Sequence, residues 1–331
     1  MTPVDLAAVP RPSDRDRLVV ADVVSAGAGS APRPRAEVLG EARAQLGERP
    51  VWDAAAGALV WCDIDGRTVH RWAGGDPARD SVLSTPSPVS VAWPAAGGGL
   101  LLATADGLAL HDGTRLGPAT RPDGMPEDYR FNDGAVDPAG RFWVATQPRS
   151  GDAGDGAVLR VVDSGDGLEI TTAVTGVALG NGIQWSPDGT VMYLTDTDAG
   201  VVFRLPFDAA AGTVGDPEPF LAFAADGPGP DGTTVDTEGA LWIATYGGGQ
   251  VLRFAADGTP LAAYPVPTPD VTCAGFGPAG SGALYVTTAA TGGSGGDALP
   301  APADPAAELG GAVLRFDVDV DGLPVRPFGE G

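Results

Sequence analysis

Apolar and polar positions follow one phrase, used six times along the chain. An apolar stub runs into a turn of the D-P-A-G kind, and an apolar strand follows. It reads V-W-D-A-A-A-G-A-L-V-W from Val51 and A-W-P-A-A-G-G-G-L-L-L from Ala92. It returns as V-D-P-A-G-R-F-W-V from Val136, W-S-P-D-G-T-V-M-Y-L from Trp185, V-D-T-E-G-A-L-W-I from Val235 and F-G-P-A-G-S-G-A-L-Y-V from Phe276. The starts are 41, 44, 49, 50 and 41 residues apart. In nearly every unit a Gly-rich stretch then leads to a strand carrying an Arg. These are V-H-R-W at Val69, V-L-R-V at Val158, V-F-R-L at Val202 and V-L-R-F at both Val251 and Val313; the second unit offers only A-L-H-D. Trp, Tyr, Phe and Val fill these segments, as a pleated, half-buried surface prefers. Each unit is therefore strand, turn, strand, turn, strand, with length left for a fourth. Four-stranded units of 40–50 residues repeated about an axis are propeller blades. Six of them predict an all-β, six-bladed β-propeller. Helical periodicity is confined to Ala36–Gln45.

The repeat divides the chain into residues 37–331, the propeller, and residues 1–36, a Pro-, Ser-, Asp- and Arg-rich extension expected to be mobile. Within the boundary region, Glu37-Val38-Leu39 is a candidate outer strand closing the ring against the last blade. Ala298–Glu308, rich in Ala and Pro, reads as a loop inside the sixth unit.

Composition narrows the chemistry. Gly and Pro make up about a quarter of the chain, which suits many tight turns, while 43% apolar residues are too many for disorder. The net charge of −23 disfavours nucleic acid and anionic membranes as partners. All 20 basic residues are Arg, so chemistry that needs Lys is excluded. Two His and two Cys rule out an all-His zinc site, a zinc ribbon and a disulfide framework. No apolar run is long enough to span a membrane and the start lacks a signal-type apolar core, so a cytoplasmic protein is expected. No feature of the sequence points to a protein partner.

One repeat position gathers polar residues. Five residues before the first turn residue of each unit stand Glu48, Asn132, Asn181 and Asp231 in four units, and Pro88 and Thr272 in the other two. The first strand of a blade is innermost, so four oxygen-bearing side chains are expected to converge at one mouth of the central channel. Each alone is an ordinary turn residue; four in register point to a cation. Oxygen donors of this kind suit Ca²⁺ first, and also Mg²⁺, Mn²⁺ or, with waters, Zn²⁺. Arg130, two residues before Asn132, shares its face by the two-residue period of a strand and offers forked hydrogen bonds to a hydroxylated or anionic substrate. His70 and His111 fall in the outward third-strand phrase, and no G-x-S-x-G is present, so Ser-His-Asp catalysis is unsupported. Cys62 and Cys273 are expected in structural roles.

Four motifs in order, L-G-E-R-P-V-W-D (Leu46–Asp53), R-F-N-D-G-A-V-D-P-A-G-R-F-W (Arg130–Trp143), N-G-I-Q-W-S-P-D-G (Asn181–Gly189) and P-D-G-T-T-V-D-T-E-G-A-L-W (Pro230–Trp242), resemble the senescence marker protein/gluconolactonase/luciferin-regenerating enzyme family, which includes regucalcin. The resemblance runs from about Glu37 to Phe328. It implies a six-bladed propeller, one divalent metal in the channel and hydrolysis of sugar lactones. It implies Glu48, Asn181 and Asp231 as metal ligands and Arg130 and Asn132 as substrate contacts. There are two departures. Some members carry a substrate-contacting Glu after the third-blade strand, where this chain has Gln147-Pro148-Arg149-Ser150, with Ser150 near that place. Arg49 stands where Gly or Ser is commoner and is expected to narrow the mouth.

The expected activity is divalent-metal-dependent hydrolysis of a sugar lactone to the aldonate, with Asp231 as general base and a broad preference among pentono- and hexonolactones. The rivals are a phosphotriesterase-like hydrolase using the same metal, and a calcium-binding propeller without turnover.

Overall fold

The structure is a computed structural model that describes residues 2–13, 17–18, 36–150, 155–290 and 309–330. Its strands form six sheets, one for each sequence unit. Blade 1 is Gly47–Asp53, Ala58–Asp63, Thr68–Trp72 and Ser81–Ser84. Blade 2 is Val89–Pro94, Leu100–Thr104 and Gly107–His111, a three-stranded sheet. Blade 3 is Tyr129–Val136, Phe142–Pro148, Gly156–Asp163 and Leu168–Val177. Blade 4 is Gly180–Trp185, Val191–Asp196, Val201–Asp208 and Glu218–Ala222, with Thr213–Val214 as a short addition. Blade 5 is Gly229–Val235, Leu241–Tyr246, Gln250–Phe254 and Pro260–Pro265. Blade 6 is Val271–Phe276, Ala283–Thr288 and Leu314–Asp317, completed by Glu37–Val38. The first strands of successive blades touch in a closed ring around the channel, blade 6 meeting blade 1.

Glu37 pairs with Arg315 and Val38 with Leu314, antiparallel, so a segment from before blade 1 supplies the outer strand of blade 6 and locks the ring. This matches the closing strand expected at Glu37-Val38-Leu39. The helical periodicity of Ala36–Gln45 is not realised; pairing with Leu314–Arg315 fixes an extended backbone there instead. Before it, Val4–Asp5 adds a parallel strand to Val174–Thr175 of blade 3, and Leu6 is fully buried. Arg11 reaches Asp196 at 3.5 Å. So part of the segment expected to be mobile is packed on blades 3 and 4. The Ala/Pro-rich stretch 298–308 and residues 19–35 lie outside the described residues. Among the described residues no helix is long and apolar enough to cross a membrane.

The repeat phrase has a physical reason. In blade 3, Asp137 Oδ1 accepts from the Ala139 and Arg141 amides, while Oδ2 accepts from Trp143 Nε1 at 2.9 Å and Arg141 Nε at 2.7 Å. Asp236 in blade 5 does the same with the Glu238 and Ala240 amides, Trp242 Nε1 at 2.9 Å and Arg253 Nε at 2.9 Å. One fully buried carboxylate thus caps the turn and fixes the tryptophan of the next strand. In blade 3 the turn residue Arg141 closes the group, and in blade 5 the third-strand Arg253 does, its guanidinium 5.2 Å from the Trp242 ring centroid. These hydrogen bonds satisfy an otherwise costly buried charge. The core lies between blades, where Trp143, Trp185 and Phe207 meet edge to face or tilted.

A C-terminal segment crosses the channel end opposite the four-residue position. Trp93 Nε1 donates to Arg326 O at 2.7 Å, and the Phe328 amide donates to Pro94 O at 2.8 Å. Only a small cavity of about 60 Å³ remains there, between Arg49, Trp93 and Val325.

Candidate functional site

Glu48, Asn132, Asn181 and Asp231 each stand near the start of an inner strand and are each less than a tenth exposed. Two devices place them. The first clamps the incoming loop. Asp63, at the end of the second strand of blade 1, accepts from the Gln45 and Leu46 amides, just before Glu48. Asp196 in blade 4 accepts in the same way from the Ala178 and Leu179 amides, just before Asn181. The second device is a break in strand register. Inner-strand pairing shifts between Glu48 and Val51, Phe131 and Gly134, Asn181 and Gln184, and Pro230 and Thr233. A bulge turns successive side chains away from the regular pleat, so the residues within it are free of the between-blade packing.

The polar side chains are linked across blades 3 and 4. Asn132 Nδ2 donates to Asn181 Oδ1 at 2.8 Å and to Gly180 O at 3.0 Å. Asn181 Nδ2 donates to Thr197 Oγ1 at 2.8 Å, and Thr197 passes the chain on to Pro230 O, next to Asp231. Arg130 Nη1 donates to Asn132 Oδ1 at 3.0 Å. Arg130 is therefore held against Asn132, as the two-residue spacing predicts. Burial pushes its pKa down, against the pull of Asp65 and Glu48 across the mouth.

The carboxylates are under stress. Burial, and then the charge of Asp133, raises the Glu48 pKa from 4.5 to about 8. Burial, then Glu48 and Asp133, pushes Asp231 well above the usual carboxylate range. Asp231 Oδ1 is buried with no hydrogen-bond partner among the described residues. The other two repeat positions are occupied differently. Thr272 Oγ1 donates to Gly47 O at 2.6 Å, which staples blade 6 to blade 1, and Pro88 has no polar side-chain atom.

One residue farther along the strands lies a second rung, which the sequence did not reveal. Arg49 is expected at the mouth as a narrowing residue; instead it points down the channel. Its Nε lies 2.6 Å from Asp133 Oδ1, its Nη2 donates to Asp133 Oδ2 at 3.0 Å, and further N–H groups reach Thr233 O and Ile183 O. The residues in the same rung of blades 4 and 5 are Gly182 and Gly232. A Cβ on Gly182 would come 2.4 Å from Thr195 Oγ1, and one on Gly232 would come 2.4 Å from Cys273 Sγ. The rung is thus filled by one long cation from blade 1, while in blades 4 and 5 it holds glycines packed against Thr195 and Cys273. Arg49 itself adopts φ 44°, unusual for a side-chain-bearing residue, and its amide donates to Glu48 Oε2 at 3.0 Å. The signal available in the sequence was the R-x-N-D motif read one residue further, to Asp133.

Other expected roles fall into place or away from the site. His70 stacks on Trp61, with centroids 5.0 Å apart, on the third strand of blade 1. Cys62 and Cys273 are buried free thiols. Ser150 is exposed at the turn after the second strand of blade 3. Tyr246, at the mouth end of the second strand of blade 5, adds an aromatic wall unforeseen in the sequence; burial, then Asp270, Asp231 and Glu48, pushes its hydroxyl up to about 12.

Residues 46–290 match the SMP-30/Gluconolactonase/LRE-like region. The chain belongs to this family. A family relative, pentonolactonase XacC of Haloferax volcanii, is 36% identical over 283 residues, 85% of this chain and 93% of the relative. The 6-deoxy-6-sulfogluconolactonase of Pseudomonas putida is 37% identical over 254 residues, 73% of this chain and 83% of the relative. Among solved structures, the calcium-binding protein regucalcin of Agrobacterium tumefaciens superposes with a TM-score of 0.80 at 29% identity, over 90% of this chain and 97% of that one. The six-bladed propeller is thus common to the sequence repeat, the structure and this family member.

Proposed function

We propose that the protein hydrolyses a sugar lactone to the aldonate with one divalent cation held by Glu48, Asn181 and Asp231. The observation that carries the reading is Asp231 Oδ1, a buried carboxylate oxygen with no hydrogen-bond partner among the described residues, in a site that also holds Glu48. Burial and then Asp133 push the Glu48 carboxyl up, and burial and then Glu48 push Asp231 up, a strain that a cation compensates. An amide oxygen completes a hard, all-oxygen donor set, which suits Ca²⁺ best, with Mg²⁺, Mn²⁺ or Zn²⁺ as alternatives. The donors therefore fit the group. The names of the relatives, a pentonolactonase and a sulfogluconolactonase, support the substrate class.

Bound there, the ion supplies Lewis-acid polarisation of a carbonyl and a lowered pKa for water. The chain supplies the rest. Arg130 and Asn132 hold the sugar hydroxyls and fix the ring over Asp231. Asp231 takes a proton from the attacking water as the new C–O bond forms. That proton passes to the ring oxygen as the ester C–O bond breaks, which leaves a hydroxyl at one end and a carboxylic acid at the other. The acid then releases the second proton of the water to solvent and departs as the aldonate. The C-terminal segment and the Arg49–Asp133 pair close the channel below, so substrate and product share the mouth.

The test is hydrolysis of a lactone panel by protein treated with chelator and then given Ca²⁺, Mg²⁺, Mn²⁺ or Zn²⁺. Activity lost with chelator and restored by a metal is the expected result. Tight calcium binding without turnover of any lactone would favour a binding propeller, and turnover of phosphotriesters alone would favour the other hydrolase.

A further inference from the structure

Gln147 lies on the second strand of blade 3, directly opposite Arg130 in the antiparallel pair. Opposed residues project to the same face of a sheet. Two residues earlier, Ala145 packs on the start of blade 4, where a Cβ on Gly180 would come 2.5 Å from Ala145 Cβ. By the two-residue period, Gln147 shares that face. It is therefore aimed at the first turn of the strand that carries Asn181, beside the Asn132–Asn181 hydrogen bond.

Gln147 is only 4% exposed, and its Oε1 is buried without a hydrogen-bond partner among the described residues. An unmet buried acceptor destabilises the fold, because its hydration is lost and not replaced. The Oε1 makes no hydrogen bond for the fold among the described residues, and Met has a similar shape without that cost. The neighbours explain the residue only if something else completes it. The substrate-holding pair Arg130 and Asn132 adjoins it, and Ser150, the residue nearest the place of the larger acid in some relatives, is short and exposed.

We propose that Gln147 contacts the substrate, its side-chain amide accepting from one ring hydroxyl of the lactone held by Arg130 and Asn132. The contact selects lactones that carry a hydroxyl at that ring position. This rests on the lactonase reading given above. A buried acceptor left unmet penalises an analogue lacking the matching hydroxyl more than an apolar wall would.

The experiment compares wild type with Gln147→Met on pentono- and hexonolactones, together with analogues each lacking one hydroxyl. For the fully hydroxylated lactones kcat/KM should fall about 10-fold. For one deoxy analogue it should stay within about twofold, because the lost bond was never made there. The melting temperature should be unchanged or higher, since the orphaned oxygen is gone. An equal loss on every lactone, or a lower melting temperature with selectivity intact, overturns the assignment and makes Gln147 structural. A parallel calorimetric titration with a non-hydrolysable 1,5-anhydroalditol reads binding without turnover, and about 10-fold weaker binding to Gln147→Met is expected. If wild type binds the polyol but turns over no lactone, the lactonase reading fails while Gln147 is still judged by that affinity ratio. If wild type neither binds nor turns over, both fail.

Discussion

Two successive rungs of the channel, one residue apart on the same inner strands, follow opposite rules. The upper rung holds Glu48, Asn132, Asn181 and Asp231, brings like charges together and leaves Asp231 Oδ1 without a partner among the described residues. The lower rung pairs Arg49 with Asp133 at 2.6 Å, and both are almost fully buried. In blades 4 and 5 the same rung holds Gly182 and Gly232, packed against Thr195 and Cys273. The lower rung reads as structure that closes the barrel. The upper rung reads as a site, because its electrostatics are complete only when a ligand arrives. The Asp133 charge reaches up to Glu48 and Asp231, but its own partner is the Arg49 guanidinium, so the unmet oxygen is left to the upper layer.

The comparison predicts a split between activity and stability. The largest expected effect is on turnover. Asp231→Asn should lower lactone kcat/KM by roughly 10²–10⁴, the usual contribution of a general base. Metal affinity should fall with it, while the metal-free protein should melt no lower than wild type, since a repelling buried charge is gone. Steady-state kinetics, metal titration and calorimetry check the three parts. In the lower rung the order reverses. Arg49→Met strands the Asp133 carboxylate and should cost about 3–5 kcal/mol in denaturant unfolding. Replacing both, Arg49→Met with Asp133→Leu, should recover most of that loss. If the single variant unfolds like wild type, the lower rung is not a structural brace.

Metal should stabilise through the upper rung only. At a hundredfold excess over Kd it adds about 2.7 kcal/mol, and Asp231→Asn should abolish the gain. The benefit should depend on pH with a definite sign. In chelator the Glu48 pKa is raised from 4.5 to about 8 by burial and then by Asp133. Below 4.5 folded and unfolded chains are both protonated there, and the stability is fully present. As pH rises toward 8 the unfolded chain releases the proton and the folded one keeps it, so stability is lost. Melting temperatures in chelator should therefore decline between about pH 4.5 and 8, and the gap to metal-loaded protein should widen. A flat profile would remove Glu48 from the rung.

The smallest effect tests the rim. Arg130→Ala should raise KM about 10- to 100-fold, the value of a charged hydrogen bond, with kcat changed less. Unchanged kinetics would take Arg130 out of the site. A wild type strictly selective for one hexonolactone would contradict the broad preference expected from Ser150 and shift attention to Gln147.

The amino-acid sequence by itself determined the number of blades, because each must bury one apolar pattern against its neighbours, and that pattern returns around a turn at a spacing of 41–50 residues. It also determined the upper rung, since a residue at a constant offset from a repeated turn occupies a constant place in every blade. Only the tertiary structure decided the rest. Arg49 is ambiguous in sequence because its direction depends on a bulge in blade 1 and on the Asp133 carboxylate that blade 3 brings to it. Gln147 and Tyr246 sit on second strands, outside the register that makes first-strand positions comparable, and they reach the mouth only through cross-strand pairing. The orphaned Asp231 Oδ1 is likewise a fact of three dimensions: a carboxylate lacks a partner only once every neighbouring donor has been turned elsewhere by the packing of six sheets.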